Sequence, residues 1–308
     1  MTSVPLISQQ TRSKEFWIGF FLAGLGAVLF SAKAIVVKLT YHYDVDPLTV
    51  IGFRMMMSLP FFAAIGWFQA RKARRAELPL LTRKEGLQII FLGFIGYYLA
   101  SLLDFYGLQT ISAGLERLIL FLAPTFVLLF TALYFRRPIA GRQWAALAVS
   151  YVGVVLVFLQ DLSFSGSQVL VGAGFVLASA LSYAFYLIGS GELIKRVGAT
   201  RLVAYAMSVS SIVTLVHFFG VHSWQGLIQP LPVYQLSLFH AIVNTVIPVF
   251  LIMWSVARIG APMTAQLGLL GPVSVLFLAN WILGEPITSL QLLGTAFALA
   301  GAVLLAHR

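Results

Sequence analysis

The stretch from Gly107 to Phe158 occurs in this chain twice. Adding 148 to each residue number gives Ser255 to Ala306, in register without a gap and with 13 of 52 positions identical. Apolar segments coincide by chance, so the weight rests on the residues that punctuate helices: Pro124 with Pro272, Pro138 with Pro286, Gln143 with Gln291, and Gly153 with Gly301. A long repeat sets the plan of a chain before any motif is read.

The chain is 60% hydrophobic and 10% charged, with a mean hydropathy of +0.94. A soluble domain carries roughly 25% charged residues, so the repeated unit is built for lipid. A spanning helix needs about 20 mostly apolar residues. Ten segments meet that requirement, at 16–38, 47–68, 87–107, 113–135, 143–160, 169–190, 201–220, 234–257, 262–283 and 289–306. The first is too long for a cleaved signal peptide and lacks a small-residue cleavage site. Each half then holds five helices. Because five is odd, the second half enters the bilayer from the other side, the inverted plan on which many transporters are built. The expected fold is an all-α polytopic membrane protein with ten transmembrane helices as two inverted five-helix repeats. Its expected parts are a cytoplasmic tail over 1–15, a first repeat over 16–160 and a second over 161–308.

Charge placement tests this topology separately. Of the 20 Lys and Arg residues, 16 fall in segments on the side of the N-terminus; Lys38 lies at the opposite side, and Lys33, Arg54 and Arg117 lie within spans. Positive residues mark the cytoplasmic side, which predicts cytoplasmic termini. The net charge of +10 therefore reflects membrane orientation rather than a nucleic-acid partner. The chain has no cysteine, which excludes disulfides and thiolate metal sites. No HExxH, Walker or GxSxG motif is present, and the five histidines lack zinc-ligand spacing. An enzyme is not expected, nor a cofactor or metal, with a membrane-embedded enzyme and a pore or accessory subunit left as remote alternatives; the expected partners are the bilayer and a small-molecule substrate.

Ionisable residues inside spans are costly, at about 2.5–3.5 kcal/mol each on the lenient insertion scale, and mark function by default. Five cluster in one end of the first repeat: Lys33, Arg54, Asp104, Glu116 and Arg117. The positions equivalent to Asp104, Glu116 and Arg117 in the second repeat hold Ile252, Thr264 and Ala265, so duplication alone does not supply the charges. Pairing two acids with two of three bases leaves one cation. Lys33, on the first helix, is the preferred one, because such helices meet at the repeat interface. Tyr97, Ser101 and Asp104 share a helical face, as do Ser179, Ser182, Tyr183, Tyr186 and Ser190. Either stripe can wall a cavity or glue helices together.

His240 and Asn244 stand one turn apart, and the histidine reads as packed and hydrogen-bonded rather than as a proton carrier. The expected substrate contacts are thus Lys33, Arg54, Tyr97, Ser101, Asp104, Ser182, Tyr183, Tyr186 and Asn244. Glu116, Arg117, Pro124 and Pro272 are expected in charge pairing or gating. Both prolines lie inside helices, where each removes a backbone bond, and they serve either as hinges or as fixed bends. Small residues on the fifth and tenth helices point to packing or to a dimer contact, and both monomer and homodimer remain open.

The segments LGLLGPVSVLFLANWILGEPIT and LLGTAFALAGAVLL in the second half, with APTFVLLFTALYFRRPI in the first, resemble the EamA-type branch of the drug/metabolite transporter superfamily. Nearly the whole chain shares the likeness. It departs at Arg137, where family members commonly carry the glutamate that Glu285 supplies in the second half. The first helix also lacks the membrane glutamate of the small multidrug relatives, which speaks against cation-for-proton exchange. The aromatic-rich look is similar to exporters of aromatic amino acids. The resemblance implies alternating-access export of small organic solutes from the plasma membrane, the inner membrane of a bacterium, with proton coupling as one option. Organic anions, sugar-nucleotides and cationic drugs are the other substrate classes that it implies.

Overall fold

The computed structural model describes residues 9–75, 81–134, 136 and 138–306. Residues 1–8 of the expected tail, and Arg137, lie outside the described residues. Among the described residues the chain is helical with no strand, and its helices group into ten spans. These are α1, Gln9–Ser31 and Lys33–Tyr41; α2, Pro47–Arg75; α3, Arg83–Leu108; α4, Ala113–Leu120 and Ala123–Tyr134; and α5, Gly141–Ser165. They repeat as α6, Gln168–Val197; α7, Ala199–His222; α8, Leu231–Gly260; α9, 261–283; and α10, Ser289–Ala306. Eight helices are long and apolar enough to cross a membrane, and the shorter apolar helices Leu270–Leu283 and Ser289–Leu304 complete the ten.

Local chemistry explains the ends. Asp46 caps α2 by accepting from the Leu48 and Thr49 amides at 2.9 and 3.1 Å, so the Pro47 ring at the first helical position costs no bond. The helix outruns its expected end by seven residues. Arg71 stacks over Trp67 at 3.6 Å, and Lys72, Arg74 and Arg75 sit in its last turn, where cations suit the helix dipole. Thr82 and Glu85 form a reciprocal cap on α3. The turn from α8 to α9 is made at Gly260, whose φ of 80° and ψ of 160° suit glycine alone. Helix α1 already begins at Gln9, inside the stretch read from sequence as a tail.

The most extensive helix contacts are α5 with α10, α1 with α8, α2 with α7, and α3 with α6. Exchanging each helix with the one five places away turns α1·α8 into α6·α3 and leaves the other two pairs unchanged. That is the pattern of two inverted five-helix repeats. Two of the backbone irregularities follow the same exchange, while the π turn Ala279–Leu283 in α9 and the Ala32 interruption in α1 are each confined to one half among the described residues. The break in α4 falls at Phe121–Leu122, before Pro124, and the break in α9 at Gly268–Leu269, before Pro272; each proline lacks the amide that would bond one turn back. A wide π turn occupies Phe94–Leu99 in α3 and Ile242–Val246 in α8, both starting at the 148-residue offset.

Candidate functional site

A cavity of about 420 Å³ lies between the halves, walled by α1 to α4 and by α6, α7 and α8. Helices α5 and α10 contribute nothing to it among the described residues; they pack on each other at the periphery, as their small residues suggest. From the level of Lys33 and Asp104 the wall continues through Pro124, Leu187, Val203, Val249 and Ile252, toward the end of the bundle that holds Gln9, Arg75 and Arg83. At the opposite end the halves are joined. Glu285 pairs with Lys38 at 3.3 Å and accepts from the Ala113 amide at 3.2 Å. Thr288 bonds Gln160, and Asp161, on α5, which runs on to Ser165 past the expected boundary at 160, accepts from the Ser112 amide at the start of α4.

Both π turns face the cavity. Gly96 and Tyr97 of the first, and Asn244 and Thr245 of the second, line it. An i→i+5 turn leaves carbonyls poorly served, and such turns recur at functional sites. In α3 this is met from α6: Ser182 donates to the Ile95 carbonyl within the turn and Ser179 to that of Ala100 just after it, each at 2.7 Å. Ser182, expected at the substrate, thus belongs to the α3–α6 seam and is not in the wall. Tyr186 is also withdrawn. It lies behind Tyr97, whose hydroxyl donates to it at 3.1 Å, and stacks on Tyr183 at 5.6 Å. Tyr97 and Tyr183 form the aromatic wall. Asn244 donates to the Leu29 carbonyl at 2.6 Å, close to the Ala32 interruption of α1, and its own oxygen is buried without a partner.

The five ionisable groups come together as expected, but they pair differently. Lys33 forms ion pairs with Asp104 and, at 3.2 Å, with Glu116. It is therefore not the cation left over. Glu116 is fully buried behind the wall, while Asp104 is 1% exposed and reaches the cavity. Arg54 donates to Ser101 at 3.0 Å and lies over the Phe105 ring at 5.0 Å. Arg117 lies over Phe30 at 5.7 Å and has no hydrogen bond or ion pair among the described residues. His240 is packed, stacked on Phe105 at 5.7 Å, but both ring nitrogens are without a hydrogen-bond partner, so the expected bonding is corrected. Sequence reasoning missed Phe30, Leu120, Phe121, Val203, Met207, Thr245 and Val249 in the wall. They are ordinary membrane residues, and only a packed structure picks them out.

The model of the EamA-like transporter family matches this chain twice, over residues 17–159 and 170–306. The chain is similar to the uncharacterised transporter YcbK of Bacillus subtilis, 30% identical over 93% of this chain and 92% of the relative. It is 29% identical to a probable amino-acid metabolite efflux pump of Escherichia coli, over 91% and 92% of the two chains. An S-adenosylmethionine/S-adenosylhomocysteine transporter of Chlamydia trachomatis matches at 26% over 72% and 67%. A solved crystal structure, 16% identical, shares the fold with a TM-score of 0.63 over 96% of this chain and 99% of that one.

Proposed function

Because the chain belongs to the EamA-like transporter family, we propose that it exports small organic solutes by alternating access through this cavity, aromatic and other apolar amino acids foremost. The observation that carries the reading is the makeup of the wall: Tyr97 and Tyr183 beside three cations, of which the two carboxylates Asp104 and Glu116 balance two. A zwitterion with an apolar side chain asks for an aromatic surface, a cation and an acid, and the volume of about 420 Å³ falls in the range of small-molecule sites. The relative named as an amino-acid metabolite efflux pump is consistent with that class.

The basic residues place both termini in the cytoplasm on this reading. The cavity then extends toward the cytoplasm while the Glu285 contacts hold the outer end together, the arrangement in which an exporter loads. Residues 16–160 and 161–308 act as the two moving halves, with the breaks at Pro124 and Pro272 as the points where α4 and α9 bend. The test is flux in liposomes containing the purified protein, with labelled phenylalanine, tyrosine, leucine, S-adenosylmethionine and a cationic dye, with and without a pH gradient. Saturable flux of the aromatic amino acids is expected. Flux of S-adenosylmethionine or the dye alone would replace the substrate class, and dependence on the gradient would establish proton coupling.

A further inference from the structure

We propose that Arg117 is the residue that recognises the substrate's carboxylate, and that Lys33 instead holds the two buried acids of the site. The inference rests on the amino-acid reading above and assigns the roles within it. Glu116 and Arg117 are neighbours on α4, and consecutive helical residues point about 100° apart. Glu116 turns to Lys33 at 3.2 Å, while Arg117 turns into the cavity wall. With two carboxylates at one ammonium, the charge of Lys33 is already met within the protein.

Arg54 is also committed. It is 6% exposed, bonded to Ser101 and laid over Phe105. The two arginines share a buried, unpartnered Nε, and among the described residues neither has a carboxylate within ion-pair distance. But Arg54 donates to Ser101 while the Arg117 side chain donates to nothing among the described residues, and the surroundings of Arg117 are shaped to admit it. A side chain at Gly271 would put a Cβ 2.7 Å from its Nη2 and 3.1 Å from its Nε, and 2.6 Å from the Ser31 hydroxyl, itself unpartnered. A bare α9 backbone beside Phe30 therefore leaves room for a planar guanidinium, the group best suited to bidentate bonding of a carboxylate. The ligand class is a small monocarboxylate whose apolar part rests on Tyr183 and Tyr97.

The test compares phenylalanine with phenylalaninamide and phenethylamine, which keep the ring and lose the carboxylate, as substrates and competitors of the reconstituted full chain. Wild type is expected to prefer the acid. Arg117→Gln should weaken phenylalanine by about ten- to a hundredfold, the span of a lost charged hydrogen bond, and leave the two amines within about twofold. Arg117→Lys, which keeps the charge but not the fork, should fall between. The double variant Lys33→Met/Glu116→Gln should change acid and amines alike. A wild-type preference for the amines, or an equal loss of all three in Arg117→Gln and Arg117→Lys, overturns the assignment while transport stands. If wild type carries benzoate or phenylpyruvate but no amino acid, and Arg117→Gln loses that flux, the amino-acid reading fails and the carboxylate site holds. No flux of any carboxylate overturns both.

Discussion

The two halves share a backbone and differ in chemistry. Each has a proline break in its fourth helix and a π turn in its third, at matching positions. The charge cluster at the cavity, Lys33, Arg54, Asp104, Glu116 and Arg117, lies wholly in the first half. Where α4 carries Glu116, fully buried against Lys33, α9 carries Thr264, which bonds Ser255 at 2.9 Å and the Gly260 carbonyl at 2.9 Å. On the proposed alternating-access reading, both halves bend and so both carry the irregularities, while one solute headgroup asks for charges in one place only. A carboxylate at position 264 as well would bury a further ion with no cation to meet it.

Substitutions at equivalent positions sharpen or break this contrast. The largest effect is expected from Lys33→Met, which leaves two buried acids without their cation; removing one partner of a buried pair costs about 3–5 kcal/mol. Thermal unfolding in detergent should show it, with much of the loss recovered when Glu116→Gln is added. Thr264→Val in the other half should cost only about 1 kcal/mol, the worth of an ordinary hydrogen bond. Comparable losses at the two sites would end the distinction between a charged and a neutral half.

Next come the contacts where the halves are alike. A Cβ at Gly153 would sit 2.3 Å from the Gly294 carbonyl oxygen, and one at Gly301 would sit 2.5 Å from that of Ala146. Gly153→Ala and Gly301→Ala should each destabilise by about 1–3 kcal/mol through overpacking, without altering substrate preference, because α5 and α10 stand clear of the cavity. Smaller still, Pro124→Ala and Pro272→Ala should change the transport barrier by about 1 kcal/mol, roughly fivefold in rate, with equilibrium binding unmoved in Pro272→Ala, which stands off the cavity wall that Pro124 joins. A rate effect in one half alone would mean that the bending is not shared. Least of all, Glu285→Gln should lower stability by less than about 1 kcal/mol, as for a partly exposed pair. Its readout is increased access of a thiol probe to a cysteine placed at Ala113.

The fold was legible because its signals are long: ten apolar runs, a 52-residue repeat and lopsided basic loops. The same holds for the gathering of Lys33, Arg54, Asp104 and Arg117 at one cavity, since charges in lipid must find one another or water. Their pairing was not legible. That Lys33 sits between two acids depends on where α1 is interrupted at Ala32 and on how α3 turns, and no spacing encodes either. Ser182 and Tyr186 misled because a hydroxyl stripe looks the same whether it faces a solute or a neighbouring backbone. The π turn that claims Ser182 has no marker in single-letter code. The apolar wall was hidden for the opposite reason, as Val203 or Val249 is ordinary anywhere in a bilayer.

The π turns of α3 and α8 also bear on ancestry. A turn closed by i→i+5 bonds holds an additional residue beside its α-helical neighbours, and inserting or deleting one residue in a helix rotates everything beyond it by about 100°. Phe94 and Ile242 open the two turns at the same offset that joins Pro124 to Pro272, whereas the π turn Ala279–Leu283 of α9 has as its counterpart the α-helical Ala123–Tyr134 in α4, with the offset unchanged at Pro138 and Pro286. Their matching place, not the extra residue alone, ties the third-helix turns to the repeated five-helix unit.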